Sequence, residues 1–202
     1  MSKGFYNVPK AVNEPILNYA PGSSEKADVK KAYKEMSSQE IDAPMYIGGK
    51  EVRTNDLVRM APPHNHKHTL GHFHRGTEEH VQMAIDAALE AKENWANLSW
   101  EHRASIFLKA ADLLAGPYRA KMNAATMLAQ SKNVYQAEID AVCEYADFLR
   151  FNVEFMTEIY KQQPPYSPAP TWNRLEQRPL EGFVFALTPF NFTSIAGNLP
   201  AA

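Results

Sequence analysis

Apolar residues recur at helical spacing through the middle of the chain and lose that period towards both ends. Thr77 precedes Glu78 and Glu79, an N-cap candidate followed by acids that suit the free amides of a first turn. Val81, Ile85, Ala88 and Leu89 then mark one face, with Trp95 near its end. Ser99 caps a second helix whose face carries Ala104, Phe107, Leu108, Ala111 and Leu114, and Gly116-Pro117 stops it. A third helix is predicted over 118–130, with Met122, Ala125 and Ala129 inward. A fourth, over 134–160, is apolar on two opposite faces. Ile139, Val142, Ala146, Leu149, Val153, Met156 and Tyr160 form one; Ala137, Ala141, Phe148 and Phe155 form the other. Such a helix is expected between two layers. Asp140, Asp147, Glu154 and Glu158 make a narrow acidic stripe between the faces, and Glu144 borders the phenylalanine face.

The flanks follow other rules. Residues 1–22 look irregular, with prolines at 9, 15 and 21. A short helix is expected over 24–36, its intermixed lysines and acids reading as a solvated surface. Met45-Tyr46-Ile47 and Glu51-Val52-Arg53 flank Gly48-Gly49-Lys50 as a hairpin with a glycine turn. Five of the seven histidines fall between His64 and His74. Alternate strand residues share a face, so a metal site and an exposed strand or loop are both open readings of that cluster. Residues 163–171 form a proline-rich connector, the clearest boundary in the chain. An extended segment follows over 172–180, then the apolar run Gly182-Phe-Val-Phe-Ala-Leu-Thr-Pro189. That run reads as a strand buried on both faces in a parallel sheet, with Thr193 or Ser194 capping a helix beyond Asn191. A parallel strand needs neighbours reached through crossovers of about a dozen residues or more. The expectation is therefore the N-terminal part of a longer α/β protein; a self-contained helical domain with a strand appendage is the other reading.

Composition narrows the class. The 202 residues carry 21 Lys and Arg against 23 Asp and Glu, a net charge of −2, and are 45% hydrophobic. That balance leaves no basic footprint for nucleic acid or an anionic membrane. No apolar run approaches the ~20 residues of a membrane span, and no signal peptide is read at the start. The single cysteine, Cys143, excludes an internal disulfide and points to a reducing, cytoplasmic setting.

The residues after the apolar run carry the chemistry. Thr188-Pro189-Phe190-Asn191-Phe192-Thr193 lies at the carboxyl end of the expected strand, where open α/β sheets bind ligands. A Thr-Pro turn with Asn at a helix cap is the plainer reading of the same letters.

The stretch Gly182-Phe-Val-Phe-Ala-Leu-Thr-Pro-Phe-Asn-Phe192 resembles the aldehyde dehydrogenase superfamily. The order of an Ile-Gly-Gly hairpin, Ala-rich helices and Glu101-His-Arg-Ala104 before Lys109-Ala-Ala-Asp-Leu-Leu114 resembles it too. Asn13-Glu14-Pro15, Phe107-Leu-Lys-Ala-Ala-Asp112, Gln136-Ala-Glu-Ile-Asp-Ala141, Phe148-Leu-Arg-Phe-Asn152 and Pro189-Phe-Asn-Phe-Thr193 are similar to its Δ1-pyrroline-5-carboxylate dehydrogenase branch. The resemblance implies an NAD-dependent oxidation of glutamate semialdehyde to glutamate in proline breakdown. A cysteine adduct would form and a glutamate-activated water would resolve it. It makes Asn191 the side-chain donor of the oxyanion hole, a neutral group suited to developing negative charge. Thr188, Pro189 and Phe190 would meet the cofactor NAD. Phe192 and Glu144 would meet the substrate, unless Glu144 belongs to the solvated stripe.

The resemblance divides the chain into an N-terminal extension (1–44) and a helical part of the NAD-binding domain (45–162). A connector with the first arm of an oligomerisation hairpin (163–181) and the first Rossmann strand with the start of a helix (182–202) complete it. A homo-oligomer is implied for the full-length parent. The family's catalytic cysteine, general-base glutamate and glycine-bearing cofactor turn have no counterpart in these letters. Cys143, between Val142 and Glu144 in mid-helix, reads as an inert buried thiol. The chain by itself is thus expected to be inactive. A non-catalytic helical interaction module of the same family is the alternative.

Overall fold

In a computed structural model, which describes residues 6–198, the expected helices form where the caps place them. Helix α1 spans Ser24–Ser37, with the Ser23 hydroxyl accepting from the Lys26 amide at 3.3 Å. Helix α2 spans Glu78–Asn97 behind Thr77, whose amide donates to the His80 ring at 3.1 Å. Helix α3, Trp100–Ala115, starts at the Ser99 cap and ends at Gly116; α4 is Arg119–Gln130. Five short strands, β1 (Ile41–Ala43), β2 (Met45–Ile47), β3 (Lys50–Val52), β4 (Leu57–Met60) and β5 (Gly71–His74), lie between α1 and α2. β2 and β3 are the expected hairpin, and Gly48 and Gly49 both take the positive φ its turn demands. The other three form a small sheet in the order β1-β5-β4, β1 parallel to β5.

The fourth predicted helix is not continuous. It divides into α5 (Val134–Ala137), a π-helical stretch (Glu138–Cys143) and α6 (Glu144–Lys161). The wider turn admits one extra residue and rotates what precedes it. On an unbroken α-helix Glu138 and Asp147 would lie about half a turn apart. The π stretch removes roughly 100° of that difference, so one extended segment can reach both.

That segment is the N-terminal strap. Its amides at Ala11, Glu14 and Leu17 donate to Glu154, Asp147 and Glu138 at 2.7, 2.6 and 2.9 Å. Three residues of extended chain cover about 9–10 Å, close to the ~10.5 Å of the seven helical residues from Glu154 to Asp147; the second step, nine residues to Glu138, is longer, ~13.5 Å on an unbroken α-helix. The strap thus runs antiparallel to the helix in register with its acids. Part of the stripe expected to face water is instead a ladder of acceptors for a second segment.

At the strap's end sits a buried ionic cluster. Glu138 is fully buried and takes hydrogen bonds from Tyr19 (2.6 Å), Asn123 (2.8 Å) and the guanidinium of Arg119. Arg119 also reaches Glu14 at 2.6 Å, and Arg150 holds the second Glu14 oxygen at 2.7 Å. Burial pushes the Glu138 carboxyl up, but its donors, Arg119 first and then Tyr19, the Leu17 amide and Asn123, outweigh burial and bring it below the ordinary range. Tyr19 accepts a left-handed backbone, φ 52°, to place its hydroxyl there.

The apolar core lies between α3 and α6: Ala111, Leu114, Val142, Ala146 and Leu149, with Phe107, Met122 and Tyr145 against them. Several expectations are corrected. In α4 the inward residues are Asn123, Ala124, Thr126 and Leu128; Ala129 is exposed, because the helix turns its polar Asn123 towards Glu138. Helix α1 is not merely a solvated surface element; it packs on α4 and buries Val29. Phe148 and Phe155 are exposed rather than sandwiched, and no residue of α2 is buried. The apolar run 182–188 forms no strand: Phe185 is 79% and Leu187 80% exposed. A strand of that kind is defined by ladder partners, and the described residues offer it none. The helix expected after Asn191 is a 3₁₀ turn, Ile195–Gly197; residues 199–202 lie outside the described part.

Glu138→Ala is expected to lower stability by about 3–5 kcal/mol, since Arg119 loses the fully buried one of its two carboxylate partners and Tyr19 and Asn123 lose their acceptor. Urea unfolding of the variant beside Arg119→Met and the double variant checks this. The double should cost clearly less than the two singles together. The pH dependence has a fixed sign. The folded-state pKa of Glu138 is below its unfolded value, so the stabilisation holds above the ordinary 4.5 and is lost as pH falls through the folded value. Amide exchange at Leu17, corrected for intrinsic rates, should lose protection in that acid range.

Candidate functional site

Of the site residues singled out by sequence, only Glu144 lines a groove; the turn of Thr188–Phe192 comes near it through its continuation at Ser194 and Ile195. Glu144 opens α6 and lines a groove of about 590 Å³ with Asn13, Asp147, Phe148, Phe151, Phe155 and Ile195. No hydrogen bond holds its carboxyl among the described residues, and burial, then Asp140 and Asp147, push it above the ordinary range, while Lys132 pulls the other way. Glu144 is nevertheless solvent-exposed at the groove's edge, so the stripe reading still describes it. Asp147 and Glu154 serve the strap, whereas Glu144 faces a groove with aromatic walls. Ile195, four residues beyond Asn191, lines that same groove.

The turn is exposed at its working end. Thr188, Pro189, Phe190 and Asn191 are all exposed, Phe190 at 98%. Asn191 caps no helix, because the 3₁₀ turn begins at Ile195 behind Ser194. Ser194 does not cap it by its side chain either; its hydroxyl donates to the Ala141 carbonyl at 2.7 Å. The Asn191 amide has no partner among the described residues. Phe192 is half-buried, and the Lys132 ammonium lies 4.3 Å from its ring centroid. Lys132 is itself paired with Asp140 at 2.6 Å.

Some residues of this neighbourhood escape a reading by pattern. Lys132 follows the last turn of α4 and resembles any surface lysine; only the left-handed Ser131 before it (φ 56°) turns it towards the site. Asn13 lies in a stretch without period. Cys143 stands as expected: it is buried, and burial, then the Glu138 charge, push its thiol up to about 12, so it is no nucleophile.

The histidines do not converge. His74 is buried and structural, accepting from the Thr54 amide at 2.8 Å and meeting Asp42 at 2.7 Å. His64 meets Ser131 at 2.8 Å. Among the described residues no set of His, Cys, Asp and Glu side chains comes together to hold a metal, and no helix is long and apolar enough to cross a membrane. NAD meets a partial fit. The exposed Thr188–Phe190 backbone is open to one end of a ligand, whereas a glycine-rich turn for the pyrophosphate is not in the sequence.

The aldehyde dehydrogenase family profile covers residues 51–199, and the chain belongs to that family. It is 52% identical over 198 residues to the Delta-1-pyrroline-5-carboxylate dehydrogenase of Agaricus bisporus, covering 98% of this chain and 36% of that protein. It is 45% identical over 193 residues to the mouse protein of that name, described as mitochondrial, covering 96% of this chain and 34% of that one. The crystal structure of the Delta-pyrroline-5-carboxylate dehydrogenase from Mycobacterium tuberculosis bound with NAD superposes with a TM-score of 0.96 at 49% identity, over 99% of this chain and 37% of that one. The fold is thus the α/β aldehyde dehydrogenase fold, and the chain spans about a third of the length of these relatives.

The charges around Glu144 give a signed expectation. Its side-chain carboxyl, followed by carbon NMR, should titrate above 4.5. Asp140→Asn should lower that midpoint and Lys132→Met raise it. A titration unmoved by either change would mean that neither charge reaches the groove.

Proposed function

We propose that this chain is the helical and first-strand part of an NAD-dependent dehydrogenase that oxidises glutamate semialdehyde, the open form of Δ1-pyrroline-5-carboxylate, to glutamate. The observation that carries the reading is Asn191. Its amide is exposed and has no partner among the described residues, on a turn whose continuation at Ile195 lines the groove of Glu144. Attack on an aldehyde by a thiolate moves charge onto the carbonyl oxygen. A neutral amide held in advance at that oxygen stabilises the transition state without a proton to lose.

The other residues take supporting parts. Glu144, with no cation paired to it among the described residues, suits the ammonium group of an amino-acid aldehyde, and Phe148, Phe155 and Phe192 suit its methylene chain. Thr188, Pro189 and Phe190 would hold the nicotinamide end of NAD, which when bound supplies the hydride acceptor. The attacking cysteine, whose adduct with the aldehyde precedes oxidation, and the base that activates water belong to the remainder of the enzyme. Residues 163–181 would contribute the first arm of a hairpin between subunits of a homo-oligomer. A single buried thiol supports a reducing compartment, the cytoplasm in our reading.

Two measurements test this. In the full-length enzyme Asn191→Ala is expected to cost on the order of 10²–10³ in turnover, as for loss of one oxyanion-hole donor. NAD affinity and melting temperature should hold. Normal turnover with a lowered melting temperature would show that Asn191 is structural. The purified 202-residue chain should produce no NADH from glutamate semialdehyde above a heat-killed control. Production there would show that the chain contains a nucleophile other than the one proposed.

A further inference from the structure

The turn that carries Asn191 is tied to the helical body on both sides of that residue. Before it, the Phe190 carbonyl accepts from Gln130 Nε2 at 3.3 Å. After it, the Phe192 ring lies under the Lys132 ammonium, 4.3 Å from the centroid. Further on, Ser194 reaches the Ala141 carbonyl of the π stretch, and Gly197 packs so closely on Tyr145 that a Cβ there would stand 2.7 Å from its hydroxyl. Gln130 and Lys132 flank Ser131, whose left-handed backbone aims both at the turn. The Ser131 hydroxyl in turn accepts the His64 amide at 3.0 Å.

These ties are unequal. The bond from Gln130 is long for a hydrogen bond of its kind. Lys132 is a charge over the negative face of an aromatic ring, largely shielded from water, and its direction is fixed by Asp140 at 2.6 Å. It therefore controls the residue adjacent to Asn191 without needing to touch the reacting atoms.

We propose that Lys132 is a positioning residue for the Asn191 amide: anchored by Asp140, it holds the Phe192 ring and so sets the direction in which Asn191 donates. The inference rests on the oxyanion reading of Asn191 given above. A direct contact between Lys132 and the substrate would have a different signature, because its cost would persist once the Asn191 amide had been removed.

The test is a double-mutant cycle in the full-length enzyme, reading kcat, KM for the aldehyde, NAD affinity and melting temperature. Lys132→Met should lower kcat on the order of 10- to 10²-fold, as misplacement of a catalytic group does, with little change in KM or NAD affinity. Lys132→Arg, which keeps the charge, the Asp140 pair and the ring contact, should recover most of the loss. In an Asn191→Ala background Lys132→Met should cost nothing more, since the group it positions is gone. Where Lys132→Met prevents folding, Lys132→Gln takes its place with the same expectations. A full additional loss in the Asn191→Ala background, or an effect confined to KM, would overturn the proposal. So would an Arg variant as impaired as the Met variant. If Asn191→Ala lowers turnover while Lys132→Met does not, only the role of Lys132 falls. If Asn191→Ala is silent, the oxyanion reading falls and takes this one with it.

Discussion

The fold depends on a carboxylate placed where none would be tolerated alone. Glu138 has no exposed surface, and an unpaired charge there would cost several kcal/mol. It is kept ionised by donors from two distant parts of the chain: Leu17 and Tyr19 of the strap, and Arg119 and Asn123 of α4. Each donor is useful only if the others arrive, so the cluster selects one relative arrangement of those segments. The position of α1 on α4, the register of the strap and the seat of Asn13 at the groove all follow from it. Such a pair is a weak source of net stability but a strong constraint on geometry.

The two ends of the chain differ in how they satisfy themselves. From residue 6 to Lys161 most of the chain is helix or strand, and even the irregular strap places its Ala11, Glu14 and Leu17 amides on carboxylates. From residue 163 to 190 most side chains face water, with Trp172 92% and Leu180 76% exposed. The apolar letters of 182–188 nevertheless describe a buried strand. Both statements hold, because burial of a strand belongs to the sheet and not to the strand. The exposed faces of α2 and α6 have the same origin. Their apolar positions keep the helical period, and the described residues cover them only in part.

What could be read in the letters was therefore what is local. The cap at Ser99, the stop at Gly116, the Gly48-Gly49 turn and the inert Cys143 are decided within a few residues, and each stands. The turn around Asn191 was legible by its resemblance to a family rather than by its physics. What escaped was set by contacts across the chain. Rotation of α4 towards Glu138, the use of Asp147 and Glu154 by the strap, and the aim of Lys132 at Phe192 have no periodic signal. The π stretch is the clearest case. One extra residue per turn is invisible in a count by 3.6, yet it decides which side of the helix Glu138 occupies.

Asp147 shows how the strap and the groove share a single charge. Its Oδ1 takes the Glu14 amide at 2.6 Å and its Oδ2 the Asn13 side chain at 2.7 Å, so both oxygens are engaged from the strap side. The same carboxylate is one of the two acids that raise Glu144. The Asp147 charge disfavours the ionised form of Glu144, and the two donors of the strap hold that charge in place beside the groove. Removing Asn13 or lifting the strap would free the Asp147 side chain to turn away and weaken its field on Glu144. A segment that looks like packaging at the chain's start is in this way coupled electrostatically to the carboxyl of the groove, and the coupling requires no movement of the helix between them.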